Sequence, residues 1–132
     1  MAPIHATRLA IGGLVAMAVA MGIGRFVYTP ILPAMMEAGL SPAAAGFVAS
    51  ANFVGYVVGA LAAATPHLPG SRRGWALGAL AASGVTTLAM GAVSGVPAYA
   101  LLRFCGGVAS AFVLVLSSTL VLERLARAGR GE

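Results

Sequence analysis

Polar side chains interrupt this chain only at intervals, and between them run four apolar segments. The first begins at Leu9 and reaches about Val27, with an extension through Tyr28, Pro30 and Pro33 to Met36. The second covers Ala43 to Ala64, the third Trp75 to Val93 and the fourth about Val96 to Leu122. Each approaches or exceeds the ~20 residues a helix needs to cross a bilayer. None alternates as a membrane barrel strand does, and backbone polar groups cannot stay unpaired in lipid, so the pattern predicts helices and excludes strands. The expected fold is an all-α membrane protein, a single unit over 1–132 with four transmembrane helices at about 9–36, 43–64, 75–93 and 96–122. The joints agree. Ser41 is placed as an N-cap with Pro42 at the first helical position, Pro66, Pro69 and Gly70 break the second connection, and Ser94-Gly95-Val96-Pro97 reads as a tight third turn.

Arg25 and Arg103 stand against this pattern, each inside an apolar segment. A guanidinium in hydrocarbon costs at least ~2.5 kcal/mol on insertion scales, so such residues face a packed interior, a watery cavity or the nearby interface. Arg25 lies about 24 Å along a helix from Leu9, and Arg103 about 28 Å from Leu122, in a hydrocarbon core about 30 Å thick. Two readings therefore stand for both arginines: a cavity role, or a side chain that snorkels to the outer interface.

Composition agrees with the pattern: 60% of residues are hydrophobic and 8% charged, against roughly 25% charged in ordinary soluble domains. The net charge of +5 does not mark a nucleic-acid partner, because the arginines are spread over tails and a loop and make no basic face with positioned aromatics. They mark topology instead. Arg8, Arg72, Arg73, Arg124, Arg127 and Arg130 all fall on one side of the four-span arrangement and none on the other. The positive-inside bias puts both termini and the loop of Arg72 and Arg73 in the cytoplasm of a multi-pass bacterial inner-membrane protein. The first apolar run outlasts the ~7–15 residues of a signal-peptide core, so a retained first helix is expected.

Other chemistry is sparse. Cys105 has no partner for a disulfide, His5 and His67 have no neighbours suited to a metal, and Glu37 and Glu123 read as interface charges. No catalytic constellation emerges, so no enzyme activity, cofactor or metal is expected. Gly55 with Gly59, Gly74 with Gly78, Gly106 with Ser110 and Gly107 with Ala111 have the small-xxx-small spacing that lets membrane helices approach closely. Asn52, Thr86, Thr87, Ser117, Ser118 and Thr119 are the remaining intramembrane polar groups.

The stretch Gly22-Ile-Gly-Arg25-Phe-Val-Tyr28-Thr-Pro30-Ile-Leu-Pro33, followed by Leu40-Ser-Pro42 and Asn52-Phe-Val-Gly55-Tyr56-Val-Val-Gly59, resembles the start of major facilitator superfamily transporters. It is most similar to their YbfB/YjiJ-type subgroup. Arg103-Phe-Cys-Gly-Gly107-Val-Ala-Ser-Ala111 is similar to the superfamily's fourth-helix pattern, and the likeness covers nearly the whole chain.

The resemblance implies secondary active transport of a small molecule, with proton coupling. Helices one and four then line a central cavity. Arg25, Tyr28 and Asn52 become the cavity or substrate-binding candidates, the substrate carrying an anionic group. Arg103 and Gly107 become the coupling or gating candidates, and Arg72 and Arg73 the cytoplasmic-loop pair. Two departures are visible. The acidic residue that the superfamily carries in the second loop is missing, since Gly59 is followed by Ala60-Leu-Ala-Ala-Ala64. The chain also holds four helices, whereas such transporters have two six-helix halves, so an N-terminal fragment, a truncated product or a shortened gene is expected, with the remainder of the carrier as a partner beside lipid, substrate and protons. The alternatives are a complete four-helix carrier like the small multidrug resistance proteins, which need a glutamate in helix one where this chain has arginine, and a non-transporting membrane assembly or regulatory partner.

Overall fold

The computed structural model describes residues 3–65 and 68–129. Among them every regular element is helical: α1 Pro3–Ala18, a π-helical segment Val19–Phe26, α2 Tyr28–Glu37, α3 Pro42–Ala63, α4 Arg72–Ala89 and α5 Val96–Gly129. Val27 keeps right-handed helical angles (φ −59°, ψ −26°), so α1, the π-helical segment and α2 follow one another without a loop. The change of hydrogen-bond register falls just before Pro30 and Pro33, two residues that have no N–H to continue an ordinary ladder.

Local signals fix most helix ends. The Ser41 hydroxyl accepts from the Ala44 N–H at 3.2 Å, and Pro42 stands at the first position of α3, where its missing donor has no intrahelical partner to lose. The Ser71 hydroxyl accepts from the Gly74 N–H at 3.0 Å, which starts α4 at Arg72, earlier than the expected Trp75. Its last residue is Ala89, and residues 90–95 form a turn in which Gly95 adopts φ +97°. α5 runs on past Leu122 to Gly129.

Among the described residues, length and apolarity single out two of the four expected helices for crossing a membrane: Pro42–Ala63, with mean hydropathy 1.6, and Val96–Arg124, with mean hydropathy 2.1. Among the described residues the first expected span contributes Ala10–Gly22, a shorter apolar helix that runs on into the π-helical segment. The third is held to 18 residues and opens on two arginines.

α5 is the hub of the packing. It touches α1, the π-helical segment, α3 and α4, while α2 rests on α3. Its inner face supplies Phe112 and Leu116, which form a buried cluster with Ala63 of α3 and draw in Ala76 and Ala79 of α4. Trp75 of α4 stacks on Phe112 with ring centroids 5.6 Å apart, and its indole N–H donates to the Pro69 carbonyl at 2.7 Å.

The tightest contact is between α3 and α5. A Cβ on Gly55 would collide with the backbone carbonyl of Phe104, one on Gly59 would lie 2.6 Å from the Val108 carbonyl oxygen, and one on Gly107 would collide with the Asn52 carbonyl. These helices therefore meet backbone to backbone. Gly74 and Gly78, with the same spacing, do not: a Cβ on Gly74 meets only the Ser71 hydroxyl at 2.9 Å, and one on Gly78 meets nothing within 4 Å.

Substituting Gly59→Leu forces the helices apart, at the cost of about 1–3 kcal/mol typical of overpacking, whereas Gly78→Leu has room. Thermal unfolding in detergent followed by circular dichroism should show a clearly lowered midpoint for the first variant and an unchanged one for the second. Equal midpoints would mean that the α3–α5 contact does not limit stability.

Candidate functional site

Arg103 stands on α5 two turns from its start and is only 5% exposed. Its guanidinium carbon lies 5.1 Å from the centroid of the Tyr28 ring. Tyr28 opens α2, is equally buried, and donates its hydroxyl proton to the Ala45 carbonyl of α3 at 3.1 Å. One side chain thus joins three helices. A desolvated cation over a tyrosine face gains about 2 kcal/mol, which offsets part of the cost of taking the guanidinium out of water.

Asn52 lies seven residues beyond Ala45 on the same face of α3 and is 2% exposed. Its backbone carbonyl packs against Gly107, one turn along α5 from Arg103. Its side-chain Oδ1 accepts no hydrogen bond from the described residues. A buried acceptor left unsatisfied costs about 1–3 kcal/mol, so Asn52 holds hydrogen-bonding capacity in reserve within the bundle.

The expected site residues separate into groups. Tyr28 and Arg103 are in contact, and Asn52 and Gly107 touch one turn away. Arg25 has its backbone in the π-helical segment, a geometry that recurs at functional sites; its side chain lies outside the described residues. The segment is tied to α5 by Ser110, whose hydroxyl donates to the Ala20 carbonyl at 3.2 Å. Tyr28 also lines a pocket of about 330 Å³ with Ile31, Met35, Thr87 and Tyr99. Arg103 does not line that pocket, and Tyr28 is a residue that borders both the pocket and the guanidinium.

Arg72 and Arg73 lie at the far end of the bundle in the first turn of α4. Arg72 forms a 2.6 Å salt bridge with Glu123 of α5, and Arg127 approaches the same carboxylate at 3.9 Å. The carboxylate that pairs with Arg72 thus comes from α5. No sequence signal announced this pairing, because it joins residues 51 positions apart. His5 and His67 fall outside the described residues, as side chain and as whole residue respectively. Among the described residues no group of histidines, cysteines and acids stands close enough to hold a metal.

Long apolar helices packed through glycines around a buried arginine define a helical integral-membrane protein. A family model described as "uncharacterised MFS-type transporter YbfB" matches residues 17–132, and the chain belongs to that family of major facilitator superfamily transporters. Curated proteins and solved structures give no match.

Removing the Tyr28 hydroxyl separates its two roles. Tyr28→Phe loses the bond to Ala45 and keeps the ring over Arg103, costing about 0.5–1.5 kcal/mol. Tyr28→Leu loses both and should cost more. Detergent unfolding midpoints should rank wild type above Phe above Leu, and in an Arg103→Leu background the gap between Phe and Leu should shrink. An undiminished gap there would remove the cation–ring contact from the account.

Proposed function

We propose that this transporter moves a small molecule bearing an anionic group, coupled to protons, and that Tyr28 gates access to Arg103. The observation that carries the reading is the buried Arg103 guanidinium stacked on a tyrosine that itself borders a pocket. A rotation of the Tyr28 ring would open the guanidinium to that pocket, where a carboxylate or phosphate could exchange for the ring as its partner. Asn52, with a spare acceptor beside the same helix contact, and Arg25, three residues before Tyr28, complete the set of cavity groups. Arg103 and Gly107 act in coupling and gating, because Gly107 lets α5 lie against Asn52 while Arg103 responds to Tyr28.

In the same reading residues 1–132 form one unit of four membrane-crossing helices, the N-terminal part of a two-half carrier. Both termini and the Arg72–Arg73 loop face the cytoplasm across the inner membrane. The six arginines on one side support that orientation. An antibody against the chain should reveal a larger species in native membranes. A single band near 13.1 kDa would sink the two-half reading.

The transport reading is tested with membrane vesicles from cells expressing the protein, loaded with a pH-sensitive dye and challenged with a panel of small organic anions. A transported anion should carry protons inward and shift the dye signal. Arg103→Gln should abolish the shift and Arg103→Lys should keep part of it, since lysine retains charge but not the planar guanidinium. A full signal in Arg103→Gln would sink the role of Arg103. Unchanged transport in both Arg25→Ala and Arg25→Lys would do the same for Arg25.

A further inference from the structure

The geometry points to an anionic-phospholipid site in the groove between α1, α4 and α5, with the lipid phosphate held by Arg8, Arg73 and Arg124 and an acyl chain lying along the apolar walls beneath them. The groove holds about 430 Å³ and is lined by one arginine from each helix: Arg8 in the first half of α1, Arg73 in the first turn of α4 and Arg124 toward the end of α5. From these arginines the lining runs inward along α1 to Ala16, along α4 to Leu80 and along α5 to Ser117. Each wall is thus about 10–12 Å deep at 1.5 Å per helical residue. A charged collar above an apolar trough has the polarity of a phospholipid and not that of a free ion.

The collar's charge is uncompensated from within the described residues. Among the described residues Glu123 is the acid at this end, and it is taken by Arg72 and Arg127. No carboxylate among the described residues pairs with Arg8, Arg73 or Arg124, and all three are exposed. Basic pockets between membrane helices select anionic headgroups in this way. Gly12 and Gly13 make the trough: Gly13 lets Val121 of α5 close to 2.7 Å of where its Cβ would stand, while a Cβ on Gly12 would meet nothing within 4 Å. The inference needs the chain to lie in a membrane but does not depend on transport or on which leaflet the collar faces.

Native mass spectrometry of the purified protein in neutral detergent tests it, with added phosphatidylglycerol, phosphatidylcholine or inorganic phosphate. The wild-type protein should retain phosphatidylglycerol over phosphatidylcholine. Arg73→Gln and Arg124→Gln should each weaken that retention about fivefold, the effect of one arginine near an anionic surface. Arg127→Gln, which removes the same charge outside the groove, should leave it unchanged. Gly12→Leu keeps every charge, fills the trough and should lower phosphatidylglycerol retention as well, with circular dichroism checking that each variant keeps its helices. Equal retention of the two lipids, an equal loss in Arg127→Gln, or full retention in Gly12→Leu would overturn the proposal. So would inorganic phosphate that competes as well as the lipid, which would make the occupant a free anion. None of these readouts involves transport, so the lipid site and the transport reading can fail separately.

Discussion

The close approach of α3 and α5 is the constraint on which the rest of the molecule depends. Lipid tails are as apolar as leucine, so nothing resembling the hydrophobic effect draws two membrane helices together; dispersion between well-fitted surfaces must do it. Dispersion falls off steeply with separation. Gly55 and Gly59 on one helix and Gly107 on the other remove the side chains that would hold the backbones apart, and the carbonyls of Phe104, Val108 and Asn52 occupy the space. Once α3 and α5 are fixed, α5 offers its remaining faces to α1, the π-helical segment and α4.

The same contact makes the buried polar groups possible. Asn52 and Arg103 face inward because they share the helix faces that carry the glycines, within one turn of Gly107. Tyr28 then completes the arrangement from α2, with its hydroxyl on the α3 backbone and its ring under the α5 guanidinium. An apolar residue at position 103 would pack at less desolvation cost, since burying an ion exacts a penalty that its partners only partly return.

Much of this was legible in the residues. Ser41-Pro42 announced the start of α3, the paired glycines of α3 and α5 announced a close contact, and the apolar runs announced both long helices. The failures have a common cause. Small-xxx-small spacing identifies residues that permit approach, but not which face meets a neighbour, so Gly74 and Gly78 fit the pattern and border an open groove with Trp75 instead. The π-helical register at Val19–Phe26 is equally silent, because its residues read as ordinary helix formers and its tie to α5 comes through Ser110, 90 positions away. The pairing of Arg72 with Glu123 likewise exists only once α4 and α5 lie side by side.

Depth alone would not have buried Arg103. It precedes Glu123 by 20 residues on α5, which is about 30 Å of helix, the thickness of a hydrocarbon core. A bilayer that had the Arg72–Glu123 bridge at one boundary would leave Arg103 close to the other, within reach of water for a side chain of its length. It is 5% exposed all the same, with the Tyr28 ring of α2 against its guanidinium. Its burial is therefore a property of the packing around α5 and not of depth in a bilayer.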